Sequence, residues 1–187
     1  MELSRKKAKR KRSSLEIVGF LVIAVFVFGL IWLMLPTSPP NTGQATTTAA
    51  RVLATDFTLT DVDGRTFRLS DYRGKAVVIE FMRTTCGACI TQEAELRELR
   101  SKFGSEVVMV IISIDPSTDT ESLLRQHRNQ NLMGWIAIRD TAKLYDTYGT
   151  KGTTPTIFII DKNGYIAYQH VGITKSSVLI SEVRSVA

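Results

Sequence analysis

The sequence predicts an α/β fold in which a central mixed β-sheet is flanked by helices and preceded by an N-terminal β-hairpin and a single transmembrane helix. Three observations support this prediction. Strand-like and helical segments alternate from residue 77 onward, and a pair of strands around a turn comes near the end. The strand-like run Val77–Met82 leads straight to Cys86 and Cys89 and then into a helical segment. Ile17–Leu35 is an uncharged, almost entirely apolar run of 19 residues.

The first 35 residues have the pattern of a membrane anchor. Residues 1–16 contain seven Lys and Arg, and residues 17–35 would extend about 28 Å as a helix, which is enough to span a bilayer. The positive-inside rule predicts that the basic tail is cytoplasmic and the rest of the chain extracytoplasmic. A cleavable signal peptide is the alternative, but bulky Leu33–Leu35 ends the apolar run where a small-residue cleavage site is expected. Later processing at Thr48–Ala50 stays open.

The next segment, residues 36–51, has the composition of a flexible linker, since it is rich in Pro and Thr and has no apolar periodicity. Residues 52–187 form the predicted domain. Of the 24 basic and 18 acidic residues of the chain, the tail holds seven and two, which leaves 17 against 16 elsewhere. The net charge of +6 therefore reflects the tail, and no nucleic-acid-binding surface is expected on the domain.

The domain begins with a predicted β-hairpin. Phe57–Leu69 alternates apolar and polar residues around Asp63-Gly64, which is typical of two strands joined by a tight turn. The Val77–Met82 strand follows. Ile90–Phe103 then carries apolar residues at three- and four-residue spacing, which predicts a helix that Cys86 opens.

The remaining elements complete a β-α-β crossover and a C-terminal hairpin. Val107–Ile114 is apolar enough to predict a strand buried on both faces. A cap at Asp119 or Thr120 would begin the next helix. The other predicted elements are a short strand at Trp135–Ile138, a short helix that begins at Asp140 or Thr141, a hairpin of Thr156–Ile160 and Tyr165–Tyr168 around Asp161–Gly164, and a closing helix at 176–186.

Cys86 and Cys89 are the only cysteines, and their position predicts redox chemistry. A thiol at a helix N-terminus lies beside unpaired backbone N–H groups and the positive end of the helix dipole, so its pKa is lowered. The Cys86 thiolate is therefore the expected nucleophile. Cys89 would lie one turn further into the helix, where it is more shielded but can close or resolve a disulfide.

Three other roles of this pair are less consistent with the sequence. A zinc site needs about four ligands, and only His127 and His170, 43 positions apart, could add to the cysteines. A purely structural disulfide over so short a loop would constrain the unfolded chain very little. Two inert buried thiols would have no reason to lie at a strand-to-helix turn. No metal site is expected.

Four separated motifs occur in a characteristic order between residues 54 and 172. They are Asp56-Phe57-Thr58-Leu59 with Asp63-Gly64 and Leu69-Ser70-Asp71-Tyr72-Arg73-Gly74-Lys75; Cys86-Gly87-Ala88-Cys89; Tyr148-Gly149 with Gly152-Thr153-Thr154-Pro155-Thr156; and Phe158-Ile159-Ile160-Asp161-Lys162-Asn163-Gly164. In this combination the chain resembles thioredoxin-fold proteins, and most closely the membrane-anchored TlpA/ResA-like thiol–disulfide oxidoreductases of the redoxin group.

The resemblance implies a thioredoxin-like fold and a substrate-binding segment. Pro155 matches the family's cis-proline, which lies against the cysteine pair and leaves the backbone of Thr154 free to pair with an extended substrate. Gly87 and Ala88, between the cysteines, are the other substrate-binding positions implied. Without the resemblance, Pro155 would be interpreted as an ordinary proline at the start of a strand.

Glu80 is the third residue for which the resemblance implies a catalytic role, beside the two cysteines. It lies six residues before Cys86 on an otherwise apolar strand, at a position where thioredoxins carry a buried acid. Burial would raise the pKa of this carboxyl, which could then exchange a proton with Cys89. The alternative is that Glu80 faces solvent.

The chain also departs from the family pattern at several positions. Thr85 and Ala88 replace the tryptophan and proline that usually precede the two cysteines. Gln92 stands where many TlpA-like proteins have a glutamate, and Glu93 follows it. The role of that family glutamate is therefore not transferred to this chain, and the redox potential is left open.

The expected function is that of an extracytoplasmic, membrane-anchored thiol–disulfide oxidoreductase that needs no dissociable cofactor. Its expected partners are protein thiols and disulfides and a membrane electron carrier that re-reduces it, although the sequence leaves the direction of electron flow open. One alternative is a peroxiredoxin-type peroxidase, which usually has a threonine where this chain has Arg83. The other is a Sco-like copper-handling protein, whose cysteines are one residue further apart and which would need His127 or His170.

Overall fold

The computed structural model describes residues 51–131 and 134–187. The predicted basic tail (1–16), the transmembrane anchor (17–35) and all but the last residue of the linker (36–51) lie outside the described residues. Within the ranges that are described, no helix has both the length and the apolar character needed to cross a membrane.

The described elements follow the predicted order. The strands are β1 (Thr58–Thr60), β2 (Thr66–Arg68), β3 (Val77–Met82), β4 (Val108–Ser113), β5 (Ile136–Arg139), β6 (Thr156–Ile160) and β7 (Ile166–Val171). The α-helices are α1 (Gly87–Phe103), α2 (Glu121–Gln130), α3 (Leu144–Thr147) and α4 (Ser176–Val186). Short 3₁₀ helices span Leu69–Tyr72 and Gly104–Glu106.

Five strands form one mixed sheet in the order β5-β4-β3-β6-β7. β3 pairs in parallel with β4, and β4 in parallel with β5, whereas β6 is antiparallel to both β3 and β7. All six residues of β3 are buried, because the strand has a neighbour on each side and both faces of the sheet are covered. The predicted central mixed sheet is confirmed.

Two apolar cores cover the faces of this sheet. One joins the sheet to α1, α2 and α4, and includes Val78, Met82, Cys89, Leu96, Leu124 and Leu179. The other joins it to the β1-β2 hairpin and α3, and includes Ile79, Phe81, Phe57, Phe67 and Leu144. Because successive strand residues face opposite sides of a sheet, β3 contributes to both cores. The cysteine pair therefore opens a helix that packs on the central strand.

Local side chains explain where the turns and helices begin. The Asp61 carboxylate accepts the N–H groups of Asp63 and Arg65 at 2.9 and 2.8 Å and so closes the turn of the predicted hairpin. Gly64 takes a φ of 81° in this turn, which favours glycine. Of the two predicted caps of α2, Thr120 caps the helix, with its Oγ1 accepting from the Leu123 N–H.

The predicted start of α3 at Asp140 or Thr141 is wrong by a few residues. The helix begins at Leu144, after Lys143 in the left-handed conformation. The Asp140 carboxylate nevertheless accepts the N–H groups of Leu144 and Tyr145, at 2.7 and 2.8 Å. Asp140 thus acts as a cap although it lies four residues before Leu144. The sequence rule places a capping residue directly before the helix and does not predict this arrangement.

Candidate active site

The two cysteines lie where the central strand passes into α1. Cys86 is the N-cap of α1 and has extended backbone angles, φ −90° and ψ 105°. It forms a disulfide with Cys89, and the two Cα atoms are 5.2 Å apart. The predicted helix start at Cys86 is confirmed, and the spacing of two residues brings the sulfurs together within the first turn.

The two sulfurs differ in their access to solvent. Cys89 is 0% exposed, whereas Cys86 is only partly buried. The backbone N–H of Cys89 donates to the Cys86 Sγ at 3.1 Å. In the reduced protein this N–H and the positive end of the α1 dipole would stabilise a thiolate on Cys86. Cys86 is therefore the sulfur that a partner can reach and that is suited to attack.

The segment that contains Pro155 and leads into β6, the antiparallel neighbour of β3, lies beside the Cys86 sulfur. The Thr154–Pro155 peptide bond is cis, as the resemblance implies. The carbonyl oxygen of Thr154 is 3.9 Å from the Cys86 Sγ. The N–H of Gly172 donates to the Pro155 carbonyl at 2.8 Å and links the segment to the end of β7. The structure thus brings Cys86 together with Thr154 and Pro155, while the adjacent Gly87 and Ala88 are exposed.

Asp119 holds the loop that carries Cys86. Its carboxylate is buried, and the sequence suggests this residue only as a helix cap. Asp119 accepts the N–H of Thr84 at 3.1 Å and also the hydroxyl groups of Thr84 and Ser113. Ser113 ends β4 beside Met82 at the end of β3. The carboxyl ends of neighbouring parallel strands meet at one edge of a sheet. Because Asp119 follows β4 and Cys86 follows β3, this rule could have predicted that Asp119 lies near the Cys86 loop.

Arg83 also contributes to this loop. Its guanidinium group donates to the carbonyl oxygen of Gly152 at 3.3 Å, and its own carbonyl accepts the N–H of Cys86 at 3.1 Å. It therefore connects the cysteine loop with the segment that leads to Pro155.

Glu80 is buried beneath the site, with 1% of its surface exposed, so the solvent-facing alternative is wrong. Its neighbours two residues away, Val78 and Met82, belong to the core that contains Cys89, and strand alternation places Glu80 on the same face. Neither carboxyl oxygen has a hydrogen-bond partner within the described residues. Burial, and then the charge of Glu93, raise the pKa of Glu80 well above its usual range.

The two polar residues after Cys89 are also buried and have specific partners. The Gln92 amide donates to the Thr174 carbonyl at 3.1 Å and accepts the Thr174 N–H at 2.6 Å, so it anchors the segment after β7 to α1. Glu93 Oε1 lies 2.7 Å from Nε2 of His127 on α2. The sequence identifies Gln92 and Glu93 only as departures from a family pattern and gives no sign of their partners.

Within the described residues, neither histidine considered as a metal ligand is hydrogen-bonded to Cys86 or Cys89. His127 is bonded to Glu93, and His170 is exposed on β7. In the part of the chain that the structure describes, no group of three or more His, Cys, Asp or Glu side chains is placed to hold a metal ion.

Comparison with known proteins agrees with this arrangement. Residues 51–169 match the sequence profile of the AhpC/TSA family. The chain belongs to this family. It is 34% identical over 120 residues to the thiol-disulfide oxidoreductase ResA of Bacillus thuringiensis (strain Al Hakam), over 64% of this chain and 68% of that protein. It is also 34% identical over 126 residues to ResA of Geobacillus thermodenitrificans (strain NG80-2), over 66% and 70% of the two chains.

A solved structure shows the same likeness. The exposed lipoprotein thioredoxin Etrx1 of Streptococcus pneumoniae strain TIGR4 is 28% identical, with a TM-score of 0.57, over 70% of this chain and 99% of that one. The family match, the ResA relatives and this solved structure confirm the predicted resemblance to ResA-like proteins. They confirm the thioredoxin-like fold of the domain as well. They also confirm the predicted class of enzyme, a thiol–disulfide oxidoreductase.

Proposed function

We propose that this protein is an extracytoplasmic, membrane-anchored oxidoreductase that exchanges disulfides with protein partners. The observation that carries the proposal is the Cys86–Cys89 disulfide, whose more accessible sulfur lies at a helix N-terminus beside the cis-Pro155 segment. The relatives named ResA support the same chemistry.

The reaction follows from the unequal access to the two sulfurs. In the reduced protein the Cys86 thiolate attacks a partner disulfide, so that a mixed disulfide forms and one partner sulfur leaves as a thiolate. Cys89 then attacks the Cys86 Sγ, which releases the second partner sulfur and closes the Cys86–Cys89 disulfide. Two electrons pass to the partner, and no dissociable cofactor takes part.

Glu80 is proposed to accept the proton that Cys89 must lose before this second attack. Cys89 is fully buried, so its proton needs an acceptor inside the protein. The Glu80 carboxyl lies on the same side of the sheet and is free of other hydrogen bonds within the described residues. A carboxylate with a raised pKa is a stronger base than an exposed one, which suits it to this transfer.

The direction of electron flow is proposed to be reductive. The anchor-like segment 17–35 supports a protein that is held at a membrane, where an electron carrier can re-reduce it. The relatives named ResA support the thiol–disulfide chemistry itself. Thr154 and Pro155 would hold an extended segment of the partner beside Cys86, with Gly87 and Ala88 exposed at its edge.

Catalysis of disulfide reduction tests this proposal. The purified full chain is expected to accelerate the reduction of insulin by dithiothreitol, because the Cys86 thiolate is more reactive than the free reagent. Insulin aggregation, followed by turbidity, measures the rate. A rate equal to that of dithiothreitol alone would contradict the function.

Peroxide consumption distinguishes the proposed function from the peroxidase alternative. Arg83 stands where a peroxiredoxin would have its threonine, and its guanidinium group is bonded to the Gly152 carbonyl. The reduced chain should therefore consume hydrogen peroxide slowly compared with disulfides. Fast peroxide consumption without insulin reduction would favour a peroxidase.

The anchor is tested by deletion and by a reporter fusion. Removal of residues 1–36 is expected to release the protein from the membrane fraction, because these residues contain the apolar run and its basic flank. A periplasm-type reporter, active only outside the cytoplasm, is expected to be active when fused after Ala187. Activity of a cytoplasm-only reporter at the same position would contradict the orientation.

A further inference from the structure

Arg83 places a positive charge at the edge of the site, three residues before Cys86. Its carbonyl accepts the N–H of Cys86 at 3.1 Å, and its guanidinium group donates to the carbonyl of Gly152 at 3.3 Å. The side chain is partly exposed. A guanidinium group offers several N–H donors, and within residues 51–131 and 134–187 the bond to Gly152 is the only hydrogen bond that this group makes. The remaining donors can therefore bind a group that a partner brings to the site.

The guanidinium group and the Cys86 sulfur lie against the same short segment. The guanidinium group contacts the Gly152 carbonyl, and the sulfur is 3.9 Å from the carbonyl oxygen of Thr154. Since a chain extends at most about 3.6 Å per residue, the Cα atoms of Gly152 and Thr154 are no more than about 7 Å apart. An extended partner segment beside Thr154 advances by the same step per residue. A side chain one or two positions from the partner's cysteine therefore comes within reach of Arg83.

The acids of the loop after β4 are engaged with other groups. The Asp115 carboxylate accepts the N–H of Thr118 at 3.2 Å. Asp119 is buried and accepts the N–H of Thr84 at 3.1 Å. In the part of the chain that the structure describes, no ion pair includes Arg83. Its positive charge is thus not neutralised by a salt bridge there.

Lys151 adds a second positive charge to this edge. It is exposed and directly precedes Gly152 in the chain. This charge is a local feature, because the chain after residue 16 carries 17 basic and 16 acidic residues and is nearly neutral. A carboxylate suits such an edge best, since a guanidinium group can donate two parallel N–H bonds to it.

We propose that Arg83 selects partners that carry an aspartate or glutamate one or two residues from their reactive cysteine. The partner carboxylate accepts N–H groups of Arg83 while the Cys86 thiolate attacks the partner sulfur. Because the bond to Gly152 already holds the guanidinium group, little conformational freedom is lost when the carboxylate binds. A lysine or arginine at the same partner position is repelled. The inference rests on the function proposed above and adds the chemical class of partner.

Short peptides that differ only in charge beside one cysteine test this selection. Each carries the cysteine as a mixed disulfide with 2-thiopyridine, an uncharged chromophore. The residues two positions before and after the cysteine are both aspartate, both asparagine or both lysine. The Cys86 thiolate of the reduced full chain, in detergent, attacks the peptide sulfur, and the thiopyridine sulfur leaves with the electron pair of the broken S–S bond. The absorbance of the released thiopyridone therefore reports the attack of Cys86.

The rate with the aspartate peptide divided by the rate with the asparagine peptide measures the preference. Arg83→Gln is expected to lower this ratio about fivefold, near the upper limit for an ion pair that stays partly exposed. The ratio of the lysine to the asparagine peptide should rise instead. Arg83→Lys keeps the charge and should keep most of the preference. Arg184→Gln, the same change at an exposed arginine in the last turn of α4, should leave both ratios at their wild-type values.

The ratios separate recognition of the partner from a structural role of Arg83. An effect of the substitution on the fold, or on the reactivity of Cys86, changes the rates with all three peptides alike and cancels in the ratio. Wild-type ratios in Arg83→Gln, or a preference lost in Arg83→Lys as fully as in Arg83→Gln, would overturn the inference while the proposed function stands. A wild-type chain that releases thiopyridone no faster than Cys86→Ser from any peptide would overturn the proposed function as well.

Discussion

Cys86→Ser is expected to lower kcat/KM for insulin reduction by on the order of 10⁴-fold, as removal of a catalytic nucleophile commonly does. Cys86 is the sulfur that is partly exposed, that accepts the Cys89 N–H at 3.1 Å, and that lies beside Thr154. A hydroxyl group at this position ionises far less readily than a thiol, and Cys89 is too enclosed to replace it. The insulin assay measures the loss.

Cys89→Ser is the matched control for this prediction. It removes one sulfur of the same pair but keeps the accessible nucleophile. Attack of Cys86 on dithiobis-nitrobenzoate, an aromatic disulfide that releases a coloured thiolate, should therefore proceed near the wild-type rate. Turnover should still fail, because the mixed disulfide is no longer resolved. An unreactive Cys89→Ser variant, together with a reactive Cys86→Ser variant, would reverse the roles of the two cysteines.

Glu80→Gln is expected to slow the attack of Cys89 on the mixed disulfide at Cys86 on the order of 10²-fold, within the range usual for general-base catalysis. With dithiobis-nitrobenzoate, the attack of Cys86 releases the first coloured thiolate, and the attack of Cys89 releases the second; these are the first and second phases of the reaction. The amide is close in size to the carboxyl but cannot accept the Cys89 proton. The first phase should change little, since it needs only the Cys86 thiolate. Stopped-flow absorbance with dithiobis-nitrobenzoate measures both phases, and a second phase at the wild-type rate from pH 6 to 9 would contradict the proton role.

The same substitution has a predicted effect on stability that depends on pH. Burial, and then the Glu93 charge, raise the pKa of Glu80 in the folded state well above its usual value of 4.5. The folded state therefore holds the Glu80 proton more tightly than the unfolded state does. As the pH rises above about 4.5, unfolding releases this proton, so Glu80 makes the folded state progressively less stable until its folded-state pKa is passed.

Glu80→Gln removes that dependence. The oxidised variant is expected to have a higher free energy of unfolding than the oxidised wild type at neutral and alkaline pH. The two should have similar values near pH 4, where Glu80 is protonated in both states. Urea unfolding of the full chain at several pH values measures the difference. A difference that does not change with pH, or that has the opposite sign, would contradict the buried, unpartnered state of Glu80.

Much of the fold could be predicted because it depends on local patterns. The β-branched run Val77–Met82, the helical spacing after Cys86 and the Asp63-Gly64 turn each fix an element within a few residues. The order of these elements then limits the sheet to a few topologies. The sequence pattern places the start of α3 too early, because Asp140 satisfies helix N–H groups from outside the helix.

The cysteine pair and Pro155 could also be predicted, because motif and order identify them together. The long-range contacts that hold the site in place could not be predicted from the sequence. Asp119 is bonded to Thr84 across 35 positions and Glu93 to His127 across 34, and no local periodicity connects residues so far apart. Such contacts depend on how α1 and α2 pack on the sheet. The sequence gives the residue types but not these pairings.

The most direct measurement for the central claim is to map the mixed disulfides that each cysteine variant traps. Full chains carrying Cys89→Ser or Cys86→Ser are produced in cells, free thiols are blocked by acid and alkylation, and captured complexes are digested without reduction for mass spectrometry. The Cys89→Ser chain is expected to carry partner peptides linked to Cys86 in high yield, and the Cys86→Ser chain almost none. Equal trapping through both cysteines, or no trapping by either, would contradict the assignment of Cys86 as nucleophile and Cys89 as resolving thiol.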